Sequence, residues 1–294
     1  MSRHRLAPYG FLAAFLAMFV AFFLAPIGYA IYQSLIKVER SGLLGLGGEH
    51  TAFAGLSNYA DALRNDAFVA SAGRILLFAA VQVPVMIGLA TLLALLLDSG
   101  LARWPRFFRT AYFLPYGVPG VIAALLWGFL YVPDISPVSE ALGKVGIKVD
   151  FLGGGTILWS IANVVTWTYV GYNMLIIFAQ LQAVPGEIYE AARVDGASRR
   201  QIALRIKLPL ARPAIVLTAV FTIIGSLQLF AEPLVLKPLT SSISTTYTPN
   251  MSAYTEAFQN NNQSLASAEA VLLAAVCFVL SFSFLTFVRR WQRA

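Results

Sequence analysis

The chain has 294 residues, 58% of them hydrophobic and 12% charged, with a net charge of +7. A soluble domain carries roughly 25% charged residues, so this composition excludes an ordinary water-soluble protein and points to an integral membrane protein. The single cysteine, Cys277, lies inside an apolar run, which excludes an intrachain disulfide and leaves the redox compartment unread.

In chain order, apolar runs at about 9–36, 75–97, 110–130, 157–181, 215–236 and 271–288 approach or exceed the roughly 20 residues that cross a bilayer as a helix. The fold class expected is therefore all-α, with six transmembrane helices in one domain covering 1–294. The first run outlasts the roughly 7–15 apolar residues of a signal-peptide core, and no clean small-x-small cleavage site follows it. An uncleaved first span is expected, and Ala13, Ala17, Ala21 and Ala25 give it a small-residue stripe on which another helix could pack closely. Residues 37–74 are polar and rich in glycine (Gly42, Gly45, Gly47, Gly48), too few to build a separate domain.

Charge distribution sets the expected topology. A cytoplasmic N-terminus places on the same side Arg3 and Arg5, then Arg103, Arg106 and Arg109, then Arg193, Arg199, Arg200, Arg205, Lys207 and Arg212, then Arg289, Arg290 and Arg293. The other side holds fewer: Lys37, Arg40, Arg64, Arg74, Lys144, Lys148 and Lys237. The positive-inside rule then puts both termini of a multi-pass membrane protein in the cytoplasm. The basic charge reads as a topology signal, with no nucleic-acid surface implied.

Between the fourth and fifth runs lies a polar stretch, residues 185–213, that reads as two short helices. Pro185 suits a first helical position, where its missing N–H would be unpaired anyway. Ile188, Ala191 and Ala192 then share one small apolar face. Gly196 can take the left-handed conformation that ends a helix. Ser198, with Gln201 three residues on, forms a capping box for a second helix whose Ile202 and Ile206 share a face. Pro209 is expected to end that helix, with Leu208 pushed out of the helical region. So short a hairpin cannot bury both faces alone. By its residues it could either dock on a partner or lie on anionic headgroups.

Signs of covalent chemistry are absent. There is no G-x-x-x-x-G-K-[ST] to hold ATP phosphates, His4 and His50 are isolated, and Gly153-Gly154-Gly155 follows no strand. No enzyme is expected. Polar groups within the spans are placed by depth: at 1.5 Å rise per residue, counting from Ile215 puts Thr222 about 10 Å and Ser226 about 16 Å into a core about 30 Å thick. Gly225 leaves room beside them and Leu229 continues the stripe, while Trp167 and Tyr172 lie near the same depth on the fourth run. Aromatic faces with a few hydroxyls and amides suit a sugar. Equally, hydroxyls can bond back to their own helix and tryptophans can simply pack. Glu232, read as the only carboxylate near a span interior, falls about 26 Å along the same count and so near the outer surface.

One pattern is more specific. Glu190-Ala191-Ala192, three residues, Gly196, nine residues, then Ile206-Lys207-Leu208-Pro209 resembles the EAA loop of bacterial ABC importer permeases. Phe113-Leu114-Pro115-Tyr116-Gly117-Val118-Pro119, Gly171-Tyr172-Asn173 and Leu181-Gln182-Ala183-Val184-Pro185 agree with it along most of the chain. Together they look like a sugar-class, type I ABC importer permease of the maltose-permease group in its shorter, six-span form. The chain departs from the maltose permease in lacking a large second extracellular domain and extra N-terminal spans. Where many relatives carry a Gly-Gly-Pro turn after the fifth span, it reads Lys237-Pro238-Leu239-Thr240-Ser241-Ser242.

The resemblance implies partners: a second homologous permease, a pair of cytoplasmic ATPases that carry the ATP and Mg, and an extracytoplasmic solute-binding protein that delivers a sugar. No cofactor is expected in this chain itself. ATPase contact would fall on Glu190, Ala191, Ala192, Asp195, Gly196, Ile206 and Pro209, with Glu190 making the polar contact and Gly196 the turn. The substrate path would run past Trp167, Tyr172, Asn173, Thr222, Ser226, Gln228 and Leu229. A permease for glycerol-phosphate or polyamine is the alternative within this class. An ion-coupled secondary carrier, which would want midplane acids or broken helices, is the alternative outside it.

Overall fold

A computed structural model describes residues 7–40, 49–100, 103–133 and 135–291. Arg3, His4, Arg5, Arg293 and the glycines at 42, 45, 47 and 48 lie outside the described residues. Helices dominate. Five are long and apolar enough to cross a bilayer: Leu12–Ser34, Asp66–Asp98, Ile157–Gln182, Arg199–Leu239 and Gln263–Val288. A sixth crossing exists only if the pair Pro105–Gly117 and Gly120–Tyr131 counts as one span.

That pair departs from the straight third helix expected over 110–130, because its halves meet at 99°. Helix α5 (Pro105–Phe113) tightens into a 3₁₀ turn over Leu114–Gly117, and α6 (Gly120–Tyr131) starts afresh. Pro119 explains the corner: it pushes Val118 into extended backbone (φ −85°, ψ 124°), where no helix can continue.

The chain divides into two compact units, residues 1–71 with 249–275 and residues 72–248 with 276–294. In the first, α1 (Ala7–Phe19) and α2 (Ala25–Ser34) join through a π turn at Val20–Leu24, next to Pro26. A wide turn of this kind accommodates a proline that would otherwise clash with the preceding turn. Ala13, Ala17, Ala21 and Ala25 are exposed, so among the described residues nothing covers their stripe. An antiparallel ribbon follows, β1 (Ile36–Arg40) with β2 (Glu49–Phe53), in register Ile36 opposite Phe53. The all-α expectation fails here. Ile36-Lys37-Val38 alternates apolar and polar as a strand does, and Asn58 on α3 (Ser57–Arg64) fixes the switch by donating to Ser34 O and Ile36 O, both at 2.8 Å.

In the second unit, α8 (Ile157–Gln182) is the central post, and a core of Ala90, Ala94, Met174, Ile177, Leu181, Ala211 and Ala214 surrounds it. These come from α4 (Asp66–Asp98), α8 and α11 (Leu208–Leu227). The small residues let the helices approach closely. Gly171 shows how closely: a Cβ there would stand 1.8 Å from Tyr112 O of α5. Between α4 and α8, Gln82 donates to Thr166 Oγ1 at 2.7 Å, a polar tie inside an apolar bundle.

Pro209 does not end a helix. Leu208 keeps helical angles (φ −60°, ψ −46°), and α11 runs on through Pro209 and Pro213. A π turn at Ala203–Lys207 just before it widens the turn whose carbonyls would meet the Pro209 ring. The real break comes later, at Gln228–Phe230, after which α12 (Ala231–Leu236) begins.

Candidate functional site: a cleft at two helix breaks and an exposed hairpin

The break after Leu227 creates a cleft of about 490 Å³. Helix α8 contributes Val165, Tyr169, Tyr172 and Asn173, one face at i, i+4, i+7 and i+8; α11 contributes Phe221, Thr222, Gly225 and Ser226. The broken backbone then adds Gln228, Leu229, Phe230, Ala231 and Glu232. Tyr116, from the 3₁₀ turn at the other helix corner, stacks on Tyr172 with ring centroids 4.6 Å apart and meets Tyr169 edge-on at 5.9 Å. The lining thus combines aromatic rings with hydroxyls, amides and one carboxylate.

Of the seven path residues expected from the sequence, the structure brings Tyr172, Asn173, Thr222, Ser226, Gln228 and Leu229 to this cleft and leaves Trp167 out. Trp167 instead packs edge-on against Trp127, centroids 5.9 Å apart. Depth alone carried no azimuth: Trp167 is five residues from Tyr172, which turns it well off the lining face. Thr222 does both things a buried hydroxyl can do. It donates to Thr218 O at 2.8 Å along its own helix and accepts from Asn173 Nδ2 at 3.3 Å. Ser226 Oγ is buried and makes no hydrogen bond within the protein.

A straight count of rise also passes over the break that precedes Glu232. Because the helix stops at Leu227 and Phe230 turns sharply (φ −146°, ψ −54°), Glu232 lines the same cleft as Ser226. It occupies the first turn of α12, and its Oε1 lies 3.6 Å from where a Cβ on Gly120, the first residue of α6, would stand. Two helix N-termini therefore face one carboxylate, a favourable placement for negative charge. Among the described residues, no Lys, Arg or His lines the cleft.

Nor is Glu232 the only acid near a span. Glu269 on α14 (Gln263–Trp291) is fully buried, and Asp98 closes α4 with its side chain 6% exposed. The apolar runs expected at 75–97 and 271–288 end one and two residues short of Asp98 and Glu269. Following the apolar helix outward in both directions would have found them.

The hairpin between the fourth and fifth spans is built from local bonds. Helix α9 (Gly186–Val194) starts one residue after Pro185, which serves as its N-cap. Gly196 (φ +83°) ends it, donating to Arg193 O while Ala197 N donates to Ala192 O, the paired bonds of a Schellman turn. Ser198 and Gln201 then cap α10 (Arg199–Ile202) reciprocally: Gln201 N donates to Ser198 Oγ at 3.3 Å, and Ser198 N donates to Gln201 Oε1 at 2.7 Å. Glu190, Ala191, Asp195 and Gly196 are exposed, Ala192 is half-buried, and Val194 is 88% exposed. Glu190 sits 3.8 Å from Arg193, an exposed pair of little energetic weight. Ile206 and Pro209 lie apart from this surface, half-buried in the π turn and in the first turn of α11.

Residues 86–293 match the family described as binding-protein-dependent transport system inner membrane component. The sn-glycerol-3-phosphate transport system permease protein UgpA of Agrobacterium fabrum is 28% identical over 291 residues, covering 98% of this chain and 96% of its own. The diacetylchitobiose uptake system permease protein NgcF of Streptomyces coelicolor is 28% identical over 287 residues, covering 92% and 79%. In fold, the chain is similar to a bacterial alginate ABC transporter solved in complex with an alginate pentasaccharide-bound periplasmic protein, with a TM-score of 0.82 at 21% identity, covering 98% of this chain and 96% of the other.

Proposed function

The chain belongs to the binding-protein-dependent transport system inner membrane component family, and from that membership we propose that it forms half of the translocation path of an ATP-driven importer of a neutral glycan. Residues 1–294 act as one permease domain, paired with a second permease. An extracytoplasmic binding protein delivers the glycan, and two separate ATPases, which hold the ATP and Mg, grip the exposed hairpin at Glu190, Ala191, Ala192, Asp195 and Gly196. This arrangement puts the hairpin and both termini on the cytoplasmic side and leaves no covalent chemistry to this chain.

The observation that supports the cargo class is the cleft's composition. Tyr116, Tyr169 and Tyr172 offer ring faces to the apolar side of a sugar, while Asn173, Thr222, Ser226 and Gln228 offer hydroxyls and amides to its edge. UgpA is named for an anionic cargo and NgcF for an uncharged one. An anion entering this cleft would meet Glu232 and no cation, a costly pairing in a water-poor site. One further reading has an observation behind it: a carboxylate beside three tyrosines also suits an amine, through charge pairing and cation–π attraction, so a polyamine is the competing cargo.

The test is reconstitution of the complex with its permease partner, ATPases and binding protein in proteoliposomes. ATP-driven uptake and stimulated ATP hydrolysis are then measured for neutral oligosaccharides, sn-glycerol-3-phosphate, a uronate oligosaccharide and a polyamine. Neutral oligosaccharides are expected to stimulate both. Stimulation by the phosphate or uronate alone would overturn the cargo assignment, and stimulation by the amine alone would move it to the competing reading.

A further inference from the structure

The hairpin is bonded mostly to itself, yet one residue at its far end reaches deep into the bundle. Lys207 closes the π turn, and its side chain is only 12% exposed. Its ammonium pairs with the Asp98 carboxylate and also donates to Asp98 O at 3.2 Å. Asp98 is the last residue of α4, so the ammonium satisfies a terminal carbonyl and stands at the negative end of that helix. The second carboxylate oxygen of Asp98 accepts from Gln182 Nε2, on the last residue of α8. On its other side, Lys207 Nζ stands 4.9 Å from the centre of the Tyr189 ring on α9. From the start of α11, one buried ammonium therefore touches the end of α4 and the first hairpin helix, and through Asp98 it is linked to the end of α8.

We propose that the Asp98–Lys207 pair is the clamp that converts displacement of the docked hairpin into movement of the α4, α8 and α11 spans. The inference rests on the functional reading above, in which ATPases move the hairpin. Few other groups could do this. Among the described residues of α9 and α10, Ile202 is the one buried, and the exposed Glu190–Arg193 pair bonds the hairpin only to itself. A push on so shallow a feature would otherwise dissipate in rotation about the Gly196 turn. A buried ion pair holds the geometry because separating it strands two charges away from water. The burial that makes the pair stiff also marks Tyr189: its hydroxyl has its pKa pushed up by desolvation and then by the nearby Asp98 charge. Lys207 thus differs in kind from the five arginines around it, which serve topology. Its role is positioning, and it touches no cargo.

The test uses the assembled complex with three variants: Asp98→Asn, Lys207→Gln, and the exchanged pair Asp98→Lys with Lys207→Asp. Cargo molecules moved per ATP hydrolysed are measured alongside recovery of the ATPases with the permease. The single variants are expected to retain the ATPases but to lose at least about tenfold in cargo per ATP, and the exchanged pair is expected to return within roughly threefold of wild type. A single variant with wild-type cargo per ATP overturns the clamp, as does an exchanged pair that assembles and hydrolyses ATP but stays uncoupled. Hydrogen exchange of residues 186–202 in the full chain in micelles gives a second readout. Asp98→Asn should speed it and the exchanged pair should restore it; no change in Asp98→Asn overturns the clamp whatever the assembly does. If the wild-type complex shows no ATP-driven uptake, the functional reading fails instead, and the exchange result judges the clamp by itself.

Discussion

The hairpin at 186–202 and the cleft beside the break at 228–230 obey opposite rules. In the hairpin, the hydrogen bonds that shape the turn join near neighbours: Gly196 with Arg193, Ala197 with Ala192, Ser198 with Gln201. The cleft assembles residues from four places far apart in the chain, Met86, Tyr116, 165–173 and 221–232, and two of its walls exist because helices stop. The contrast shows where this protein keeps rigidity and where it keeps choice. A locally bonded plug can present one constant surface to a constant partner. A cavity made at broken helices can be re-lined by changing a few side chains without rebuilding the bundle.

Substitutions at three glycines probe that contrast, from largest effect to smallest. Gly171→Ala should be the most damaging, because the new methyl would overlap Tyr112 O and force α5 off α8. A loss of roughly 3 kcal/mol is expected, read as a lowered Tm or failure to recover folded protein in detergent. Full recovery at the wild-type Tm would mean the two helices are not held at that distance. Gly196→Ala should cost less, about 1–2 kcal/mol, by placing a Cβ on a residue at φ +83°. Its signature is local: ATPases should be lost from the purified complex while the Tm of the spans barely moves. Gly225→Ala adds a methyl into open space and should leave stability within about 0.5 kcal/mol. Its effect should appear in cargo affinity, and an unchanged affinity would argue that the cargo passes elsewhere.

Ser226 sharpens the same comparison at finer scale. Its hydroxyl is buried in the cleft wall with no hydrogen bond inside the protein. Ser226→Ala should therefore leave the fold intact or stabilise it slightly, yet weaken a hydroxylated cargo by about 1 kcal/mol, roughly fivefold in Kd. Ser198→Ala is the matched control in the hairpin. It removes a cap worth about 1 kcal/mol and should speed hydrogen exchange over 199–202 without touching cargo affinity.

The same division explains what could be read from the residues alone. The Gly196 turn and the Ser198–Gln201 cap were legible because each is a pattern over three to six neighbours whose chemistry admits few conformations. The existence of the apolar spans was legible for the same reason. What escaped were events set by distant packing. Pro209 looked like a stop, but a π turn before it let the helix continue. The third span looked straight, but Pro119 bent it. Trp167 falls outside the cleft and Glu232 joins it because a count of helical rise gives height and neither direction nor interruption. Lys207 looked like one more topology charge, and only its partner 109 positions away shows otherwise.

On the proposed reading, the hairpin sets how the protein is powered while the charge of the cleft sets what it carries. The most direct measurement is the ratio of neutral-oligosaccharide uptake to sn-glycerol-3-phosphate uptake in the reconstituted complex, compared between wild type and Glu232→Lys. Reversing the cleft's one charge should lower that ratio by at least about tenfold, since a like-charge clash becomes an attraction. A ratio that stays put, with uptake still driven by ATP, would contradict the account and take cargo selection out of this cleft.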